Sequence, residues 1–264
     1  MHLLIGLGPI GGNIVEQLAA PPRKGDGDGS GFHIHPVRDW SRPVPAPVAI
    51  DLGTVDWASV RSVHVSVPRA DQVESVFESL LDSTSLPLTV FVHTTLSPND
   101  ARDILSSAPD TWRPFEAPLA SGPQGPRAEA MTVLLAGPPT TAAEDRLLAS
   151  ISGRVFRLQS YGQPALVKLL NNALAAYNLA ATANMLNLAA HHGVPPRELF
   201  EAIGVSSGRG WLSDNLADVA YENLLTDVEL LAAELGPLPA VDLNDEVEPV
   251  ILQARALLGN GAGA

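Results

Sequence analysis

A glycine turn of the form G-x-G-x-x-G, Gly6-Leu7-Gly8-Pro9-Ile10-Gly11, joins an apolar stretch to an amphipathic one near the start of the chain. It constrains the fold more than any other feature. His2–Leu7 reads as a short buried strand. Pro9–Ala19 reads as a helix, with Pro9 in the first turn, where a missing N–H costs nothing. In a strand–turn–helix setting the spacing has a mechanical reason. The first glycine makes the tight turn, the second lets backbone approach a pyrophosphate, and the third lets helix pack on strand. The helix N-terminus then offers free N–H groups and a positive dipole end to the phosphates. Gly6, Leu7, Gly8, Pro9, Ile10 and Gly11 are therefore expected to hold a dinucleotide.

The downstream pattern fits that beginning. Phe32–Val37, Val60–Val67, Leu88–His93, Met131–Ala136 and Val155–Leu158 read as further strands, with helices expected over Asp71–Leu81 and Asn99–Ser106. Strands that alternate with helices imply an α/β fold, here a doubly wound, mostly parallel Rossmann sheet. After Gly162 the pattern changes. Pro164–His192 is one long helical stretch rich in Ala, Leu and Asn. Leu199–Ile203, Leu212–Leu225, Asp227–Leu235 and Glu246–Leu258 also read as helices, and no strand pattern returns. The expectation is a Rossmann domain over 1–160 that binds NAD(P), followed by an all-helical domain over 161–264 for substrate and dimerisation.

Charge and composition exclude several classes. A net charge of -13 over 264 residues repels nucleic acid and anionic membranes. It still permits a small anionic substrate held by local cations. With no cysteine there is no disulfide, no thiolate catalysis and no Cys-ligated zinc. No basic region precedes the first apolar run, and no apolar run is long enough to span a bilayer, so a soluble cytoplasmic protein is expected. His191 and His192 end the long helix, where cations favour the dipole, and no metal site is expected.

Cofactor choice is decided after the second strand. An acidic residue there holds the ribose hydroxyls of NAD, whereas arginine accommodates the extra phosphate of NADP. Asp39 gives the first signal; Arg38, Ser41 and Arg42 together favour NADP, with NAD left open. Val67 and Pro68, where the third strand ends, join the cofactor set, as does Thr95, which could also cap the helix that follows Pro98.

Lys168 is the residue on which chemistry is expected. It and Lys24 are the only lysines. It lies in an apolar helical stretch, where a charge is expensive unless paired or functional. Asn172 is four residues on and shares its helix face. A partly buried lysine has a lowered pKa and can exchange a proton with a hydroxyl near neutral pH, while Asn172 orients the ammonium or the substrate. The alternative is a lysine snorkelling from a helix edge. Ser121 and Gly122, in a Gly/Pro-rich loop, can present backbone amides to an anion. Arg209 can grip a carboxylate and Trp211 can wall a pocket, although a surface arginine and a packing tryptophan fit equally well. Asp227 reads either as a site residue or as the N-cap of its helix.

Several segments, in order, carry a family resemblance. Gly6–Gly11 is similar to an opening G-L-G-x-M-G. Thr94-Thr95-Leu96-Ser97-Pro98 is similar to S-T-x-S-P, Ala117–Gly122 to A-P-V-S-G-G, and Lys168-Leu169-Leu170-Asn171-Asn172 to K-x-x-N-N. Over most of its length the chain resembles the β-hydroxyacid dehydrogenases, the group of 3-hydroxyisobutyrate dehydrogenase. The resemblance implies a homodimer with Lys168 as the catalytic residue, Thr95 beside the nicotinamide, the amides of Ser121 and Gly122 on the substrate carboxylate, and Asp227 near the active site. The departures are an inserted residue before Ser121, Pro123 for a glycine, no acidic residue before Thr94, Thr226 for a lysine, Asn184 for a glutamate, and a short C-terminal domain. The expected activity is NAD(P)-dependent hydride transfer on a small β-hydroxy acid or its semialdehyde. An imine reductase, a prephenate-dehydrogenase-like enzyme and a non-catalytic dinucleotide-binding protein are the alternatives.

Overall fold

The computed structural model describes residues 1–6, 11, 12, 14, 34–36, 52–121, 131–211, 216 and 221–239. Leu7, Gly8, Pro9, Ile10, Arg38, Ser41, Arg42, Gly122 and the expected helix over 246–258 lie outside the described residues. The chain divides into two compact units, Met1–Glu234 and Leu235–Ala264.

Within the first unit, five strands form a wholly parallel sheet: β1 (His2–Ile5), β2 (Ile34–Pro36), β3 (Ser62–Val65), β4 (Thr89–Val92) and β5 (Arg113–Glu116), in spatial order β2-β1-β3-β4-β5. The chain leaves β1 toward one side for β2 and toward the other for β3. The gap between β1 and β3 is thus the topological switch point, where open α/β sheets bind ligands beyond the strands' carboxyl ends. A second sheet pairs β6 (Leu119–Ser121) antiparallel to β7 (Met131–Leu135), and β7 parallel to β8 (Arg154–Arg157).

The strands sort their side chains with a period of two. Leu3, Ile5, Val63, Val65, Val90 and Val92 face a core closed by Val73, Phe77 and Leu80 of helix α1 (Ala70–Ser83) and by Ala101, Ile104 and Leu105 of α2 (Pro98–Ser106). Leu4, Phe91, Phe115 and Ala117 face the other way, against the second sheet and Leu147, Leu148 and Ile151 of α3 (Ala142–Ile151). Every described element after residue 160 is helical: α4 (Gln163–His191), α5 (Pro196–Gly204) and α6 (Tyr221–Leu235).

Three elements carry weak sequence signals. β5 contains Pro114 and only four residues, and β6 only three. α3 is not among the helices expected above, although a capping box marks it: Thr141 Oγ1 accepts from the Glu144 N–H, and Glu144 accepts from the Thr141 N–H. Glu144 also takes two bonds from Arg113, tying α3 to β5. The expected break at Thr226 is absent. α6 runs through it, with Thr226 Oγ1 donating to the Glu222 carbonyl one turn back. Asp227 is therefore a mid-helix residue and not an N-cap.

Candidate functional site

The glycine turn meets the sheet at the switch point. Gly6 follows β1 with φ +95°, and a Cβ there would lie 2.2 Å from the Ser66 carbonyl oxygen beyond β3. A Cβ on Gly11, where the next helix has begun, would lie 2.0 Å from the Gly6 carbonyl oxygen. Both positions need glycine, the first for its left-handed backbone and for space, the second for space alone. This is the packing that a pyrophosphate-binding turn requires, and the described part of the turn fits a dinucleotide.

The neighbouring strand ends are tied together. Ser66 N–H donates to the Ile5 carbonyl, His93 N–H to Val65 and Ala117 N–H to Val92. Thr94 Oγ1 donates to the Val67 carbonyl at 2.8 Å and accepts the Val67 N–H at 3.2 Å. Val67 and Thr95 are half-buried and Pro68 is exposed along this edge. Thr95 does not cap α2. Ser97 does, accepting the Asp100 N–H at 3.1 Å.

Beneath the edge runs a buried polar row that sequence reading missed. His2 Nδ1 lies 2.7 Å from Ser62 Oγ, Ser62 Oγ 3.0 Å from His64 Nε2, His64 Nδ1 2.9 Å from His93 Nε2, and His93 Nδ1 2.8 Å from the Ala117 carbonyl. The Ala117 oxygen can only accept, so the network assigns the proton to His93 Nδ1. The same logic then makes His64 Nδ1 a donor to His93, Ser62 a donor to His64, and His2 a donor to Ser62. Every ring is neutral with each bond satisfied. Burial pushes His2 and His93 down to about 4 and His64 well below the ordinary histidine value, where His93 also opposes a charge. His93 occupies the position before Thr94 at which the resemblance leads one to expect an acid.

Lys168 lies in the second turn of α4 and donates from Nζ to the Leu119 carbonyl at 2.8 Å. Burial lowers its pKa below the usual lysine range, and the Asp227 carboxylate opposes the shift. Asp227 reaches this place from α6. Burial raises its pKa, against the Asn172 hydrogen bond and the charge of Lys168. Asn172 donates from Nδ2 to Asp227 Oδ2 at 2.5 Å, and its Oδ1 accepts from Asn171. The structure thus brings Lys168, Asn172 and Asp227 together, and Asn172 engages the carboxylate rather than the ammonium. Ser121 ends β6, two residues beyond the carbonyl that holds Lys168, in register with Met131. Arg209 and Trp211 lie exposed on the turn after α5, on a separate element.

Glu116 was also missed, because β5 (Arg113-Pro114-Phe115-Glu116) does not declare itself as a strand in which a buried acid would stand out. It ends β5, is 1% exposed, and accepts the N–H groups of Gly162 at 2.6 Å and Ala165 at 2.7 Å. Burial pushes its carboxyl up to about 7, opposed by those two amides and by Arg102. Among the described residues no cluster of His, Asp and Glu could hold a metal ion, and no helix is long and apolar enough to cross a membrane.

Residues 162–225, which include Lys168 and Asn172, match the family described as NAD-binding of NADP-dependent 3-hydroxyisobutyrate dehydrogenase. The chain is 27% identical over 254 residues to an L-threonate dehydrogenase of Cupriavidus necator, covering 91% of this chain and 78% of that one. Other curated relatives, including 3-hydroxyisobutyrate dehydrogenase of Pseudomonas aeruginosa at 28% identity, match over about half their length, in that case 50%. In fold the chain is similar to 3-hydroxyisobutyrate dehydrogenase of Salmonella typhimurium, with a TM-score of 0.69 at 21% identity over 99% of this chain and 95% of that one. It is also similar to Psf3, solved in complex with NADP+ and 2-OPP, with a TM-score of 0.73 at 19% identity over 97% and 95% of the two chains.

Proposed function

We propose that this chain is a divergent member of the β-hydroxyacid dehydrogenase family and an NAD(P)-dependent oxidoreductase acting on the CH–OH group of a small β-hydroxy acid, or on the matching semialdehyde. In this reading residues 1–160 hold the dinucleotide and 161–264 complete the substrate site and the dimer. Gly6 to Gly11, Val67, Pro68 and Thr95 hold the cofactor, with Arg38, Ser41 and Arg42 selecting NADP over NAD. Bound cofactor supplies the redox step, taking up or returning a hydride at the carbinol carbon.

The observation that carries the reading is the placement of Lys168. Its amine is withdrawn from water, its pKa is lowered by that burial, and it is anchored by the Leu119 carbonyl, two residues before Ser121. A lowered pKa favours the neutral amine relative to a free lysine, which suits Nζ to accept the hydroxyl proton in oxidation and return it in reduction. The Leu119 carbonyl accepts from Nζ in either state and so holds its direction while its charge changes. Asp227, raised toward neutrality yet close enough to stabilise the cation, tempers how far the lysine falls. Asn172 fixes the carboxylate that does this. The amides of Ser121 and Gly122 receive the substrate carboxylate, and Arg209 and Trp211 close the site. α4 supports the homodimer: Leu170, Leu174, Met185 and Leu188 on it are each 48 to 59% exposed.

The test is steady-state kinetics with NADP(H) and NAD(H) on a panel of small β-hydroxy acids, their semialdehydes, cyclic imines and prephenate. Turnover of the hydroxy acids is expected. Lys168→Ala should lower kcat by about a hundredfold to ten-thousandfold with cofactor Kd within twofold of wild type. Turnover of imines or prephenate alone, or near-normal turnover by Lys168→Ala, would refute the assignment.

A further inference from the structure

The first turn of α4 has no cap of its own. Its N-cap is Gly162, which has no side chain and sits at φ +84°. A Cβ at Gly162 would lie 2.6 Å from the Pro98 carbonyl oxygen, so a capping side chain has no room there. The helix nevertheless leaves no first-turn donor unmatched. Gln163 N–H donates to the Ser160 carbonyl, Pro164 has no N–H, and Gly162 and Ala165 donate to the two oxygens of Glu116. The cap thus comes from the sheet, 46 residues earlier in the chain. A carboxylate in this place also meets the positive end of the helix dipole.

The same short segment grips the helix a second time. Three residues after Glu116, the Leu119 carbonyl takes the Lys168 ammonium, and Lys168 is three residues after Ala165. Residues three apart lie on one helix face. Segment 116–119 and turn 165–168 are thus joined at both ends, which sets where along the helix axis and at what rotation Lys168 stands. Glu116 holds the helix through two backbone amides, and Lys168 through one carbonyl.

We propose that Glu116 is a positioning residue for Lys168, its carboxylate seating the N-terminus of α4 on the sheet so that the lysine amine is delivered to the Leu119 carbonyl. The consequence for catalysis rests on the reading of Lys168 as the proton-transfer group. The effect on the amine itself does not.

The chain is suited to a direct measurement because it has two lysines. Protein labelled with 13C at lysine Cε shows two titrating signals, and Lys24→Arg assigns the one from Lys168. The full chain is compared with Glu116→Gln, which keeps the volume but turns one acceptor into a donor facing an N–H. It is also compared with Glu116→Asp, which keeps the charge but retracts it by one methylene. Loss of position exposes the amine to water, so in both variants the Lys168 pKa should rise measurably toward the free value of about 10.4. The charge of Glu116 alone would act in the opposite direction, because removing a nearby anion lowers a lysine pKa. An unchanged or lowered Lys168 pKa in folded variants therefore overturns the proposal. In parallel, kcat should fall by about tenfold to hundredfold, the scale expected of a catalytic group displaced by about an ångström, with cofactor Kd unchanged. If Lys168→Ala remains active while the pKa rises as stated, the catalytic reading falls and the positioning role stands. If Lys168→Ala is inactive and the pKa does not rise, the positioning role falls alone. Should Glu116→Gln not fold, the Glu116→Asp titration decides by the same criterion.

Discussion

The buried histidine row makes stability at mildly acidic pH a sharp test of the fold. His2 and His93 titrate near 4 in the folded chain against about 6.5 in an unfolded one. The unfolded chain therefore binds the proton first. Stability that is fully present above pH 6.5 is lost as the pH falls toward 4, at about 1.4 kcal/mol per pH unit for each proton. By pH 4.5 the two rings together cost about 5 kcal/mol. His64, also held well below the ordinary histidine value by burial, adds to the loss. Glu116 works against them. Its folded value of about 7 lies above the ordinary 4.5, so the folded chain binds that proton first and gains about 2 kcal/mol as the pH falls from 6.5 to 4.5. The histidines win. A net loss of at least about 2 kcal/mol is expected between pH 6.5 and 4.5, a substantial part of the roughly 5–15 kcal/mol that holds a domain folded. Urea unfolding followed by circular dichroism at half-unit pH steps measures it. The His93→Asn variant removes one titrating ring while keeping an amide donor beside the Ala117 carbonyl, and its stability–pH slope should be shallower by about one proton. A stability that holds or rises as the pH falls to 4.5, or equal slopes in the two proteins, would refute the neutral-row assignment.

Two further outcomes are expected from particular contacts. Gly6→Ala forces a side chain into left-handed backbone and against the Ser66 carbonyl, so it should cost at least about 2 kcal/mol. That corresponds to a melting point lower by roughly 4–8 °C, together with loss of dinucleotide binding; a stable, fully binding variant would separate the turn from the cofactor. The half-exposed leucines and methionine of α4 should be covered by a second copy of the chain, and sedimentation equilibrium should give twice the mass of 27.7 kDa. A monomer at micromolar concentration would remove that part of the proposal.

Local sequence was enough for much of the architecture. A period of two in Val63-His64-Val65 and Val90-Phe91-Val92 announces strands, because a strand sends alternate side chains to opposite cores. The glycines at 6 and 11 announce the turn, since backbone geometry and close approach there admit no Cβ. Lys168 stood out for a similar reason, as a charge that an apolar helix does not tolerate without purpose. Composition settled what was absent from the chemistry: without cysteine there is no thiolate.

Other features could be decided only when distant segments met. β5 and β6 are too short, and in β5 too interrupted by Pro114, to declare themselves; neighbouring strands supply the pairing that makes them. Thr226-Asp227 looks like a helix start locally, yet α6 continues through it, and the half-buried Asp227 side chain bonds Asn172 instead of serving as a cap. The polar row draws on His2, Ser62, His64 and His93, and each is unremarkable in its own strand. Only the parallel register of β1 and β3, and the reach of His93 beyond β4, makes them a chain of bonds. Glu116 and Gly162 likewise mean little apart. Hydrophobic period and backbone conformation are local and can be read along the chain, whereas the partner of a buried polar group is chosen by packing. The sequence alone pointed to a dinucleotide fold and to Lys168. The tertiary structure decided which carbonyl holds that lysine and which carboxylate accepts the first amides of its helix.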